Sequence, residues 1–343
     1  MEPVPLCKGE IILKIEQSGQ LASMRTPGKA AAAIVADADD LESVRRIMPG
    51  CPIGVMLDAQ LHEEEDTMSE KWNADWMVSQ FRADVDRALE AQADFLYIRM
   101  RETVQVLRAA VLAVTDVSGI GIFVELPVDE DGRMPDGSSL MSAMGILQRI
   151  GVAGIILSGS VQEVTETIDE LSPHAFVALG YAPCQRDLHS GQELPEAEFY
   201  LAGSPEQTEE ISSRIPPSDD TQDPDADEDY ILAPVGGHAH FVDATIDISD
   251  PIDLEDHFEE TLLELEDVWS GALKLEITSP EDIYLLAENQ YLLERPVCLA
   301  AENPDLFEKA LRVFNGIALY DGTWELAPEI LEDFRRHYGL VAL

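Results

Sequence analysis

The chain has 343 residues, 45% of them hydrophobic, enough for one large core or two smaller ones. Its 67 acidic residues against 22 basic ones give a formal net charge of −45. This excess removes the basic footprint that nucleic acids and anionic membrane surfaces require, and it reads as a solubility or salt adaptation rather than as a pointer to a substrate.

In chain order, residues 10–15 and 31–37 read as strands, the second reached through the Pro27-Gly28 turn. Residues 39–48 follow as a short helix with an acidic start. A third strand at 51–57 precedes a polar excursion at 62–69. A long amphipathic helix at 72–92 then places Trp76, Phe81, Val85 and Leu89 on one face. Between 93 and 187 the repeat is plain: apolar runs at 94–100, 119–125, 152–158 and 175–180 alternate with helices at 102–115, 138–151 and 161–171. Runs this short, rich in Ile, Val and Phe, fit parallel strands buried on both faces. Ser160 and Glu163 stand at capping-box spacing. Strand seven runs out over 181–187, an eighth candidate lies at 198–202, and Ser204-Pro205 opens a helix through Ile211. Eight strands with intervening helices over roughly two hundred residues predict a (β/α)8 TIM-like barrel across 1–214.

Residues 215–229 are acidic and carry almost nothing to bury, so they read as a linker. Beyond it, 230–343 predicts a small, mostly parallel α/β domain. Its strands fall at 230–234, 239–247, 272–277, 296–301, 316–320 and 340–343, with helices at 254–265, 280–293, 304–314 and 328–338. Three of these helices begin with proline in the first turn, two of them behind Ser279 or Asn303. No apolar run approaches ~18 residues, and Met1 to Lys8 has no signal-like pattern, so a soluble cytoplasmic protein is expected. Cys7, Cys51, Cys184 and Cys298 are scattered, without a CxxC pair, and read as buried free thiols in a reducing cytosol.

Four blocks resemble the homocysteine S-methyltransferase family, in the same order and at similar spacing. They are Ala93-Asp-Phe-Leu-Tyr-Ile-Arg-Met100 with its following helix, Ile122-Phe-Val-Glu-Leu-Pro-Val-Asp-Glu-Asp-Gly-Arg-Met-Pro-Asp-Gly137, Gly151-Val-Ala-Gly-Ile-Ile-Leu-Ser158 and Leu179-Gly-Tyr-Ala-Pro183. The segment 315–343 is similar, more weakly, to the portion C-terminal to this barrel in methionine-synthase-like proteins. The resemblance implies a barrel in which three thiolates hold zinc, and zinc activates a substrate thiol for methyl transfer. Those thiolates are missing. Leu157-Ser158-Gly159 stands where the family has Asn-Cys after strand six, and Leu201-Ala-Gly-Ser-Pro-Glu206 where it has a Gly-Gly-Cys-Cys run. The family's Glu-Thr after strand four has become Arg99-Met100, and its glycine-rich opening has no counterpart.

No cofactor is supported, since the zinc the family implies lacks its ligands. Candidate substrate-binding residues at the barrel's carboxyl rim are Glu125, Ser158, Tyr181 and Cys184. The trio Cys184, Asp187 and His189 and the pair His238 and His240 are weighed as metal ligands and read as incidental, the two histidines as exposed side chains on a strand. Asp129, Glu130, Asp131 and Asp136 read as solvated loop charges. Ser158-Gly159-Ser160 reads equally as an anion site or an ordinary cap. Two functions stand against each other. One is a non-catalytic or altered-function relative linked to methyl transfer or methionine metabolism, partnering a corrinoid protein, a paralogous methyltransferase subunit or a second copy of itself. The other is an active methyltransferase with a rearranged rim site.

Overall fold

The computed structural model describes residues 8–16, 30–61, 74–129, 133–190, 192–216, 230–254, 258–265 and 270–343. The Pro27-Gly28 turn, the excursion at 62–69, Trp72, Cys7, Glu130, Asp131 and linker residues 217–229 lie outside the described residues.

Strands β1 (Glu10–Ile15), β2 (Ala32–Val35), β3 (Ile53–Ala59), β4 (Phe95–Met100), β5 (Gly121–Pro127), β6 (Gly154–Gly159), β7 (Ala178–Pro183) and β8 (Phe199–Ala202) pair in chain order. Every pairing is parallel, and β8 returns to β1 to close the barrel. Helices α1 (Leu41–Ile47), α2 (Ala74–Glu90), α3 (Val104–Thr115), α4 (Leu140–Arg149), α5 (Val161–Leu171), α6 (Gln185–Ser190) and α7 (Pro205–Ser212) run between and after the strands. Local signals set several boundaries. The capping box of Ser160 and Glu163 opens α5, and Pro205 behind Ser204 opens α7. The run expected to stay extended over 181–187 does so through Pro183, the end of β7, and gives way to helix α6 from Gln185. That helix is six residues long and carries one apolar side chain, Leu188, so it leaves no helical period in the sequence.

The barrel interior is filled by aromatic rings set against glycines. Phe95 and Phe199 each meet Phe123 edge-on, at 5.3 and 5.7 Å between ring centroids. Each ring also lies opposite a glycine on an adjacent strand, in the pairs Gly54 with Phe95, Gly154 with Phe123 and Gly180 with Phe199. A Cβ on Gly54 would overlap the Phe95 ring, and one would come within 2.7 Å of Phe123 from Gly154 and 2.5 Å of Phe199 from Gly180. These rings fix which strand face looks inward. By the two-residue alternation, Lys14, Asp58, Arg99, Glu125 and Ser158 share that face near the carboxyl ends of β1, β3, β4, β5 and β6.

Contacts divide the chain into two units, one of Met1–Leu61, Ser79–Leu140 and Val152–Ala226, the other of His62–Val78, Met141–Gly151 and Asp227–Leu343. The second thus takes in more than the C-terminal segment. Within it, a Cβ on Gly145 would come 2.7 Å from Leu232 and from Pro234. Its hairpin, β9 (Ile231–Leu232) with β10 (Phe241–Val242), is antiparallel. Its main sheet orders β11 (Ile248–Asp253), β12 (Ala272–Glu276), β13 (Val297–Ala300), β14 (Leu319–Tyr320) and β15 (Val341–Ala342) in sequence, all parallel. Helices α8 (Phe258–Leu265), α9 (Pro280–Asn289), α10 (Pro304–Val313) and α11 (Pro328–Tyr338) make the crossovers, which the right-handed rule puts on one face. There Phe307 stacks on Phe334 at 5.7 Å and meets Tyr320 edge-on at 5.9 Å. The strand expected at 239–247 shrinks to β10, and pairing resumes at β11 despite Pro251. That proline is tolerated because β11 is an edge strand whose register shifts between Ile248 and Pro251.

Candidate functional site

The inward residues at the carboxyl ends of β1, β3, β4 and β5 form one charged network. Arg99 grips Asp58 with two prongs, Nε to Oδ1 at 2.7 Å and Nη2 to Oδ2 at 2.9 Å, while its Nη1 donates to Glu16 at 3.1 Å. Arg101 adds a bond to Asp58 at 2.9 Å, and Lys14 pairs with Glu16 at 2.9 Å. Arg99 is only 14% exposed in its side chain, which strengthens the pairing relative to an open surface. Burial pushes the Asp58 carboxyl up, but the guanidinium of Arg99, aided by Arg101, holds it below its ordinary range. Glu16 is lowered chiefly by the bond from Lys14. Beside them the fully buried Tyr97 donates its hydroxyl to Glu125. Burial and then the Glu125 charge raise that hydroxyl far above an ordinary tyrosine.

The four predicted rim residues separate into two groups. Glu125 and Ser158 are half-buried on the inward face, and Ser158 donates weakly to the Leu126 carbonyl at 3.5 Å. Tyr181 has the opposite parity from Gly180. It turns to the helix side, where its hydroxyl donates to Asp187 of α6 at 2.9 Å and is raised by burial and by that carboxylate. Cys184 joins it there, its thiol donating to the same Asp187 oxygen at 3.0 Å; it is exposed where a buried thiol was expected, because it lies in the turn between β7 and α6, whereas Cys298 is buried within β13. His189 instead contacts the Gln185 carbonyl, one turn back in its own helix.

Other residues have structural duties. Asp136 caps α3 by accepting from the Val104 amide at 2.9 Å, and Asp129 accepts from the Arg133 amide at 2.8 Å. The Ser160 amide that an anion would need is taken by Glu163 at 2.9 Å. His238 and His240 do not lie on a strand. Gly236 and Gly237, at φ 55° and 85°, turn the chain tightly between Val235 and His238; His238 is exposed, as expected, whereas His240 is half-buried. Burial, then the neighbouring His238, lowers His240, whose Nε2 is enclosed without a partner among the described residues.

The carboxyl ends of β6 and β8 offer a serine hydroxyl at Ser158 and no side chain at Gly203, so neither supplies a thiolate. Among the described residues no three His, Cys, Asp or Glu side chains gather as a metal set. Nor is any described helix long and apolar enough to cross a membrane.

The network around Arg99 was not nominated from sequence, which registered Arg99 only as a departure from the family pattern. Its partners Asp58 and Glu16 lie 41 and 83 residues away, so the link appears only once strand register is known.

No protein-family model and no curated protein sequence matches the chain. Among solved structures, the apo homocysteine methyltransferase MmuM from Escherichia coli aligns at TM-score 0.46 and 11% identity, over 60% of this chain and 96% of its own. The 3-keto-L-gulonate-6-phosphate decarboxylase of Vibrio cholerae aligns at 0.38 and 14%, over 61% and 100%. Tryptophan synthase from M. tuberculosis aligns at 0.40 and 11%, over 61% and 93%. Likenesses of this size carry no argument about activity; the barrel stands on its own strand pairing.

Proposed function

We propose that this chain is an altered-function, non-catalytic relative of the homocysteine S-methyltransferase barrel that serves methyl transfer or methionine metabolism by binding a partner, such as a corrinoid protein or a paralogous methyltransferase subunit. One observation carries the reading: where a thiol-activating barrel needs an open metal-binding mouth, Arg99 is engaged on both sides by Asp58 and Glu16. Asp58 and Glu16, each held by cations, are poorly placed to take a proton from a substrate thiol. Metal analysis of the purified protein, coupled to a homocysteine methylation assay, tests this. The expectation is substoichiometric zinc and no turnover; stoichiometric zinc lost on Cys184→Ala would overturn the reading.

A second reading has its own support in Glu125, a half-buried carboxylate receiving a bond from buried Tyr97 at the position where barrels place their chemistry. On that reading the chain methylates a thiol or another small acceptor at a rearranged rim. Turnover abolished by Glu125→Gln and untouched by chelators would favour it.

A further inference from the structure

Helix α9 turns one face to solvent. Ser279 caps its start with Pro280 in the first turn, and Asp282, Leu286 and Ala287 mark its buried side. A short 3-10 turn, Gln290–Leu292, carries the same path on to the buried Leu293. On the opposite side Glu281, Tyr284, Glu288 and Tyr291 follow one another at spacings of three, four and three residues, which sets them in one stripe about 15 Å long. All four are exposed, and among the described residues none of these side chains has a hydrogen-bond or ion-pair partner. Tyr284 and Tyr291, each 69% exposed, are the most exposed of the large hydrophobic side chains described.

Carboxylates alone say little on a chain of net charge −45, where solvated acids are everywhere. Bare phenol rings spaced along one helix face are different, because tyrosine is among the residues that dominate protein interfaces. A phenol face attracts a cation through its quadrupole, and a carboxylate one turn away supplies a counter-charge and an acceptor. Guanidinium meets both demands at once, since it stacks flat on a ring while its N–H fork reaches a carboxylate; ammonium, a hydrated point charge, does not stack. A second copy of this chain is a poor occupant, for it would bring another −45 to the same face. Matching a repeat of acid and ring takes arginines repeated at helical spacing.

We propose that the Glu281–Tyr291 face of α9 docks an arginine-bearing helical segment of a basic partner protein, with guanidinium groups lying on the Tyr284 and Tyr291 rings and forking to Glu281 and Glu288. This surface belongs to the C-terminal unit and does not depend on what the barrel mouth does. The probe is an alanine-based helical peptide with arginines three and four residues apart, titrated into the full chain by calorimetry. At about 0.15 M salt, exposed charges farther than about 8 Å are largely screened, so the diffuse acidic field of the chain contributes little. Saturable binding is expected. Tyr284→Ser with Tyr291→Ser leaves the charge unchanged and should weaken it about tenfold; Glu281→Gln with Glu288→Gln should weaken it as well. Because all four side chains are exposed, these variants should fold as the parent does. A lysine version of the peptide should bind several-fold more weakly. Affinity unchanged by the tyrosine pair, equal affinity for the lysine peptide, or no saturable binding overturns the proposal, as does sedimentation showing that the chain alone dimerises through these two tyrosines.

Discussion

Arg99 on β4 and Asp58 on β3 are register partners, and their side chains make a two-pronged ion pair above the aromatic filling of the barrel. Asp58 is depressed in the folded chain, so it contributes stability above its unfolded value near ~3.9 and loses that contribution as pH falls through its folded value. Arg99→Met should therefore cost about 0.5–1 kcal/mol at neutral pH, a figure discounted because Asp58 is 42% exposed. The difference from the parent should fade in acid. Urea unfolding at neutral pH and near pH 3 measures both; an equal cost at the two would contradict the pairing.

Gly180→Ala should destabilise the barrel by about 1–3 kcal/mol, because the new methyl would press on the Phe199 ring, itself fully buried. Combining it with Phe199→Leu should recover part of the loss that each change causes alone. A double-mutant cycle by chemical denaturation reads the coupling, and simple additivity would show that the two residues do not share that space.

Asp136→Ala should weaken the start of α3 by about 1 kcal/mol, since its carboxylate caps the Val104 amide from a different loop. Hydrogen exchange should quicken in the first turn of α3 and leave α5, with its own capping box, unchanged.

Alkylation should separate the cysteines. Cys184 is exposed and should react with iodoacetamide at about pH 8. Cys298 is fully buried, and burial with the Asp321 charge pushes its thiol up to about 12, so it should resist until the chain unfolds. Peptide mass spectrometry over time distinguishes the two.

The division between features legible in the sequence and features hidden in it is physical. Helix starts such as Ser279-Pro280 and Asn303-Pro304 were legible because a cap and a proline act within one turn. The barrel was legible because short apolar runs recur with helices between them. Strand parity was not: β7 is buried along both faces in its middle, so nothing in Leu179-Gly-Tyr-Ala told that Gly180 faces inward and Tyr181 outward. The ion pairs of Arg99 were hidden for a related reason, since they depend on which residues of β1, β3 and β4 stand level. The strand at Ile248–Asp253 was not legible at all, since whether a strand tolerates Pro251 depends on its lying at a sheet edge.

The ring-and-glycine pairs have a consequence for how this barrel tolerates rearrangement. Phe95 and Gly54 sit on β4 and β3, Phe123 and Gly154 on β5 and β6, Phe199 and Gly180 on β8 and β7. Interior volume is thus settled within successive two-strand couplets, each holding one bulky partner and the hollow that admits it. A graft that exchanges a whole couplet carries its fit along. A junction cut between the two strands leaves a ring without room on one side and a void on the other.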